Sequence, residues 1–170
     1  PYSVSSAGKR KTFTKNGPRA PDLDLREGGV VLFVQRMKVL LTGGAGFIGS
    51  HVADAYLKGG YEVVILDNLS SGSRRNVPRK AVFYLMDLCA AELEKLIQHE
   101  RPDIVNHHAA QISVTLSARD PLLDARANAL GMLNLLEACR RQGVKKIVFA
   151  STGGAIYGEA SEVPTTEQYP

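Results

Sequence analysis

Cysteine is nearly absent: the 170-residue chain holds two, Cys89 and Cys139. Two thiols do not build a disulfide framework, and neither stands at metal-ligand spacing. A reducing cytoplasm suits them and is the expected location. Long hydrophobic runs are absent as well. The longest apolar stretch, "AVFYLM" at residues 81–86, has six residues, against the ~20 that a membrane-spanning helix requires. The early run "VVLFV" is too short for a secretory signal, and no small-residue cleavage pattern follows it. A folded basic surface is also missing. The net charge is +4, but residues 1–36 contribute seven Lys/Arg against three Asp/Glu, and residues 37–170 hold 14 of each sign. The basic excess therefore belongs to the leader, and no nucleic-acid partner is expected of the rest. The leader's "GKRKTFTK" offers contacts to RNA or lipid, or is a solvated tail; the tail is the simpler reading.

With 44% apolar and 22% charged residues, the composition is that of a globular chain long enough for one domain with a true core. Residues 1–29, rich in Ser, Gly, Pro and charge, are expected to be mostly disordered. Met37 opens "MKVLLTGG", which reads as a natural start of translation. Residues 1–36 are thus expected to be a disordered or non-native leader: upstream sequence, a fusion remnant or the end of another reading frame.

From Met37 the pattern alternates between strand and helix, with no other internal repeat. Strands are expected at Lys38–Leu41, Tyr61–Leu66, Val82–Met86, Ile104–Asn106 and Lys146–Ala150. Helices are expected at Phe47–Lys58, stopped by Gly59-Gly60, and at Ala90–His99, ended by Arg101-Pro102. A third runs from an N-cap at Asp120, with Pro121 in the first position, to Gln142 before Gly143. Asn68–Lys80 reads as a loop. Fully apolar strands alternating with helices indicate an α/β fold. It is expected to be a Rossmann-type doubly wound parallel sheet of about five strands.

The stretch "TGGAGFIGSH" places four glycines in residues 43–49 between strand and helix. Gly44, Gly46 and Gly49 give G-x-G-x-x-G; Gly43, Gly46 and Gly49 give a second, overlapping spacing. Such glycines permit a tight turn and close approach of phosphate oxygens. Gly49 lets the helix lie near the sheet, and the helix N-terminus offers free N–H groups and the positive end of its dipole. An acidic residue at the end of the next strand, Asp67, completes the context. Its carboxylate would accept both ribose hydroxyls and repel a 2′-phosphate, which favours NAD over NADP; the nearby Arg74 and Arg75 pull the other way.

Asp87, ending the third strand, reads equally as an acceptor for the adenine amino group or as a cap of the next helix. In "NHHAAQIS" the small pair Ala109 and Ala110 would let backbone pass close to a cofactor. His107 and His108, adjacent with diverging side chains, do not make a metal site. Asn128, mid-helix, needs partners and reads best as a brace for a neighbouring loop. Ser151 and Thr152 stand where the sheet's carboxyl edge would meet a nicotinamide; they either donate to a substrate oxygen or cap a turn.

Together "TGGAGFIGSH", "LDNLSSG", "MDL", "HHAAQ", Asn128 and "STGGAIYGE" resemble the extended short-chain dehydrogenase/reductase family of NAD-dependent epimerases and dehydratases, from Met37 to Pro170. Within it the sequence is most similar to UDP-glucose 4-epimerases. Dehydratases of the family tend to carry "TDE" where this chain has "TGGAI". The resemblance implies a tightly held NAD that takes a hydride from C4 of a nucleotide sugar and returns it to the other face. It adds Phe47, Ile48, Asn68, Ser71, Gly72, Leu88, His108 and Gln111 to the expected cofactor contacts, beside Ala109, Ala110, Asn128 and Ser151. It also implies a sheet order of 3-2-1-4-5, incomplete at its far end, and a homodimer through the Asp120–Gln142 helix.

Two departures bear on activity. The family's catalytic Ser/Thr aligns with Gly153, so Thr152 and Ser151 are the catalytic candidates. The family's Tyr-x-x-x-Lys is absent from the 170 residues, and by family spacing it falls beyond Pro170 with the sugar-binding domain. This chain alone is therefore expected to be inactive. The competing expectations are a non-catalytic dinucleotide-binding module, a fragment of a related dehydratase or decarboxylase, and a tethered protein using its basic leader.

Overall fold

The computed structural model describes residues 4–5, 22–25, 31–34, 36–152, 158 and 161–169, the first three segments by their backbone alone. Three short strands precede Met37: β1 (Val4–Ser5), β2 (Asp22–Leu25) and β3 (Val31–Val34). They correct in part the expectation that residues 1–29 lack structure. The Asp/Leu alternation of "DLDL" has the two-residue period of a strand, a signal that bulk composition hides. β2 and β3 pair antiparallel as a separate ribbon, and β1 pairs antiparallel along the outer edge of the main sheet.

The domain proper begins with β4 (Lys38–Thr42), α1 (Phe47–Lys58), β5 (Glu62–Asp67) and β6 (Val82–Leu85). It continues with α2 (Leu93–Glu100), β7 (Ile104–His107), α3 (Val114–Arg119) and α4 (Pro121–Ala125). A π-turn at Arg126–Leu130 leads into α5 (Gly131–Gln142) and then β8 (Lys146–Phe149). The sheet order is β1-β6-β5-β4-β7-β8. β6-β5-β4-β7-β8 is the parallel 3-2-1-4-5 arrangement that the family resemblance implies.

Most boundaries fall within a residue or two of expectation, for identifiable reasons. Gly143, in the left-handed region at φ 69°, closes α5, and Arg101, left-handed ahead of Pro102, closes α2. Asp120 caps α4 by accepting from the Leu123 N–H at 2.9 Å. The unexpected α3 is capped by Ser113, whose Oγ accepts from the Leu116 N–H at 3.2 Å. The third predicted helix is the succession α4, π-turn, α5 rather than one uninterrupted α-helix.

Two cores flank the sheet. On one face Leu40, Val64, Leu66 and Val105 meet Leu93, Leu96 and Ile97 of α2 and Leu135 of α5. On the other, Leu41, Val63 and Ile65 meet Ala53 of α1, and Val77 and Ala81 of the loop after β5. Leu40, Leu41, Leu93, Leu96 and Leu135 have no exposed surface, and each contributes about 1.5–3 kcal/mol by burial. At the amino ends of the strands, Glu100 binds two groups. It accepts from Lys38 Nζ at 2.9 Å and from the Tyr84 hydroxyl. Burial opposes the Glu100 charge, but Lys38 and the hydrogen bonds from Tyr84 and Lys38 outweigh it and hold the carboxyl below its usual range.

Candidate functional site: the carboxyl edge of the sheet

Every parallel strand delivers its carboxyl end to one edge, and the glycine loop after β4 lies at the centre of it. Gly43 has φ 71° there, and a Cβ on it would lie 2.6 Å from the Ala109 nitrogen. Gly43 therefore serves two needs at once: a left-handed turn and contact with the loop after β7. A Cβ on Gly49 would lie 2.2 Å from the Gly43 carbonyl oxygen, which is why α1 can begin so close to the strand. Gly46 is different. Its Cβ would meet only the Gly43 oxygen, at 3.3 Å, a tight contact but a far looser one than at Gly43 or Gly49, so packing presses least for glycine there.

Gly46 is the N-cap of α1, with no side-chain cap and no acidic residue in the first turn. The opening N–H groups of a helix have no acceptor inside it, and the dipole is positive there. Phe47 and Ile48 turn exposed side chains outward from this turn. Asp67, 7% exposed, stands beside it at the end of β5. Its Oδ2 accepts from the Ala45 N–H at 2.9 Å, and its Oδ1 accepts from the Leu69 N–H at 2.7 Å. The carboxylate is thus aimed by the glycine loop itself. Each oxygen keeps a second lone pair.

The loop after β5 folds over the glycine turn. A Cβ on Gly72 would lie 2.8 Å from the Ala45 carbonyl carbon, and Asn76 Nδ2 donates to the Ala45 oxygen at 2.9 Å. Arg74 lays its guanidinium 4.5 Å over the Phe83 ring, which engages one of the two cations that weighed against NAD. Ser71 is exposed beside Gly72. Asn68 donates to Asp87 Oδ2 at 2.9 Å, and the Cys89 N–H donates to Asp87 Oδ1 at 2.8 Å. Burial would raise the Asp87 carboxyl; these bonds and the Arg126 charge hold it below its ordinary value. The helix-capping alternative read from sequence is not met: Asp87 holds the turn at Cys89, while the N-cap of α2 is Glu92, with no side-chain cap. Leu88 faces the core, 7% exposed, and its carbonyl accepts from Asn134 Nδ2 at 2.6 Å.

On the other side of the glycine loop, His107 is 4% exposed. Its Nδ1 hydrogen-bonds Thr42 Oγ1 at 2.7 Å, and its ring stacks on Phe149 at 5.7 Å. Burial pushes the pKa of both His107 and His108 below the ordinary value. Thr42 Oγ1 also accepts from the Ala109 N–H at 3.3 Å. Ala110 is exposed at the tip of this loop.

Asn128 grips the next residue from the helix: its Oδ1 accepts from the Gln111 N–H at 2.8 Å, and its Nδ2 donates to the Gln111 carbonyl at 2.9 Å. The bracing read from sequence is what the geometry displays. The Gln111 side chain is itself committed, donating to Asp124 Oδ1 at 2.8 Å and accepting from the Ser113 N–H. Asp124 escaped the sequence reading, although its spacing of four residues from Asn128 places both on one helix face.

Ser151 and Thr152 are exposed just past β8, at the same edge. Gly153 and Tyr157, on which the catalytic expectation turns, lie outside the described residues. Among the described residues no group of three or more His, Cys, Asp or Glu could hold a metal ion, and no helix is long and apolar enough to cross a membrane.

A parallel doubly wound sheet, a glycine turn running into an uncapped helix and an acidic residue at the next strand end together define a Rossmann-type domain. Residues 39–170 match the NAD dependent epimerase/dehydratase family, and the chain belongs to that family. It is 45% identical over 132 residues to a putative UDP-glucose 4-epimerase of Methanocaldococcus jannaschii, covering 78% of this chain and 43% of that protein. To the UDP-glucose 4-epimerase of Mycolicibacterium smegmatis it is 43% identical over 139 residues, covering 79% and 44%. Among solved structures it superposes on the Thermus thermophilus UDP-glucose 4-epimerase complex with NAD at a TM-score of 0.72 and 54% identity, over 79% of this chain and 44% of that one. A Thermotoga maritima UDP-glucose 4-epimerase with UDP-glucose gives a TM-score of 0.71 and 50% identity, over 78% and 44%. The chain spans less than half the length of these relatives.

Proposed function

We propose that this chain is the NAD-binding portion of a nucleotide-sugar epimerase of the UDP-glucose 4-epimerase kind. The observation that carries the reading is the fit of the Gly43–Gly49 turn to a dinucleotide. The α1 N–H groups are uncapped, packing presses less for glycine at Gly46 than at Gly43 or Gly49, and Asp67 is fixed to Ala45 with lone pairs to spare. Bound there, NAD would supply a reversible hydride acceptor for the carbon of a sugar alcohol. The chain's own residues bind and orient. The α1 N-terminus faces the pyrophosphate, Asp67 accepts the ribose hydroxyls, and Asp87 lies by the adenine. The Ala109–Gln111 loop forms the wall on the nicotinamide side, where Ser151 and Thr152 also stand.

The nucleotide-sugar substrate, a homodimer through the α4–α5 helix and a cytoplasmic location belong to the same reading. The exposed Leu122, Leu130 and Leu133 of that helix support the second. No tyrosine of the chain has a lysine four residues on, so the chain alone supplies no tuned base and does not turn over UDP-galactose. The test is equilibrium titration of the 170-residue chain with NAD and with NADP. NAD is expected to bind at least about tenfold more tightly, a difference removed by Asp67→Ala. Equal affinities, or no binding of either, would overturn the reading.

A further inference from the structure

One helix holds both walls of the groove. On the adenosine side, Asn134 of α5 donates to the Leu88 carbonyl at 2.6 Å and to the Ala90 carbonyl at 3.2 Å. The Cys89 thiol donates to the Arg126 carbonyl in the π-turn at 3.3 Å. On the other side, Asn128 clasps both backbone groups of Gln111. An amide can make that clasp only one way round, with oxygen toward the Gln111 N–H and nitrogen toward its carbonyl. Asp124 fixes that choice. Its Oδ1 accepts from Asn128 Nδ2 at 3.1 Å and from Gln111 Nε2 at 2.8 Å. A carboxylate oxygen accepts and never donates, so both partners must present nitrogen to it.

From this geometry we infer that Asp124 is a positioning residue for the Ala109–Ser113 loop, and so for the nicotinamide half of the bound dinucleotide. It rests on the reading of that loop as a groove wall. Thr42 fixes the loop at Ala109 from the strand side, and Asp124 fixes it at Gln111 from the helix side. Gly43 stands directly beneath, with no space for a methyl group. The height of the loop above the glycine turn is therefore set at two points. Asp124 sets the second while touching no ligand: it is half-buried, and the oxygen it uses is spent on two amides.

The sheet order decides which half of the ligand responds. β5 and β6 lie on one side of β4 and β7 on the other, so a dinucleotide crossing the glycine turn has its adenosine toward Asp67 and Asp87 and its second nucleoside toward the Asp124-held loop. ADP reports the first half alone.

The test compares the full chain with Asp124→Ala and Asp124→Asn. For each, NAD and ADP are titrated calorimetrically, thermal midpoints are measured without ligand, and amide hydrogen exchange is followed across residues 109–113. Asp124→Ala is expected to weaken NAD about tenfold, the scale of losing one charge-assisted hydrogen bond, and to leave ADP within about twofold. Asp124→Asn, which keeps the acceptor oxygen and removes only the charge near the start of α4, is expected to restore NAD binding. Exchange at Gln111 should quicken in the alanine variant alone. Equal loss of NAD and ADP, or a chain that melts before titration, makes Asp124 a merely structural residue and overturns the proposal. Unchanged NAD affinity with unchanged exchange overturns it as well. A wild-type chain that binds neither ligand refutes the dinucleotide reading instead, and the exchange measurement then still decides whether Asp124 positions the loop.

Discussion

Glycines that look alike in the motif have different work. Gly49 is fixed by packing: a methyl there would collide with the Gly43 carbonyl, which is backbone and cannot swing away. Gly49→Ala is expected to destabilise the domain by about 1–3 kcal/mol, seen as a lower urea midpoint. Gly46→Ala meets one contact at 3.3 Å and keeps an ordinary extended N-cap conformation. It should cost under about 1 kcal/mol yet weaken NAD, because its methyl would occupy the space of a phosphate. His107 makes a prediction of opposite character. Burial lowers its folded pKa, so below the ordinary imidazole value of about 6.5 the unfolded chain binds more protons than the folded one. Stability must therefore fall as pH drops through that value, and continue to fall until the folded pKa is passed. A thermal midpoint series from pH 7.5 to 5 should show the decline, and His107→Gln should reduce it to the part that the buried His108 contributes.

At the scale of elements, strands are tied to helices by polar as well as apolar contacts. α2 carries Leu93, Leu96 and Ile97 on its buried face, which periodicity makes legible, but it also carries Glu100 into the sheet's amino edge. Removing the Lys38 partner takes away the cation nearest that buried carboxylate and leaves the Tyr84 hydroxyl as its close hydrogen-bond donor. Lys38→Met is expected to cost about 3–5 kcal/mol, and adding Glu100→Leu should recover much of it; a double-mutant cycle in denaturant measures both. The π-turn belongs to this scale too. A π-turn breaks the α hydrogen-bond ladder, and this one, between Asp124 of α4 and Asn134 of α5, itself carries Arg126 and Asn128, which bond the loops at Cys89 and Gln111.

For the whole molecule, the sheet is well covered at β4, β5 and β7 and poorly covered at β8, where Ile147 and Phe149 are exposed by 37% and 51%. Amides of β8 should exchange faster than those of β4 by orders of magnitude, since protection follows burial. A ligand that binds only the folded state adds stability by mass action. NAD at about 100 times its dissociation constant should contribute about 2.7 kcal/mol, which for a domain of this size raises the thermal midpoint by about 5–10 °C. Scanning calorimetry with and without NAD checks it.

Local pattern by itself determined the β–α alternation and the central turn, while the strand order came from the family resemblance. Apolar strands, glycine stops and a Pro-led helix start are local signals whose physics reaches only a few residues along the chain. Local pattern also identified Asn128 as a residue needing partners and Asp67 as the acidic residue that completes the glycine turn. It did not reveal the strands before Met37, since a Ser/Pro/Gly-rich composition masks a short "DLDL" alternation. Only the tertiary structure decided who the partners are: Ala45 for Asp67, Gln111 for Asn128, Asp124 for both Gln111 and Asn128, Phe83 for Arg74. Apart from the one-turn pair Asp124–Asn128, those contacts join residues 9 to 22 positions apart. Hydrogen-bond direction and close approach are properties of three-dimensional placement, which periodicity cannot carry.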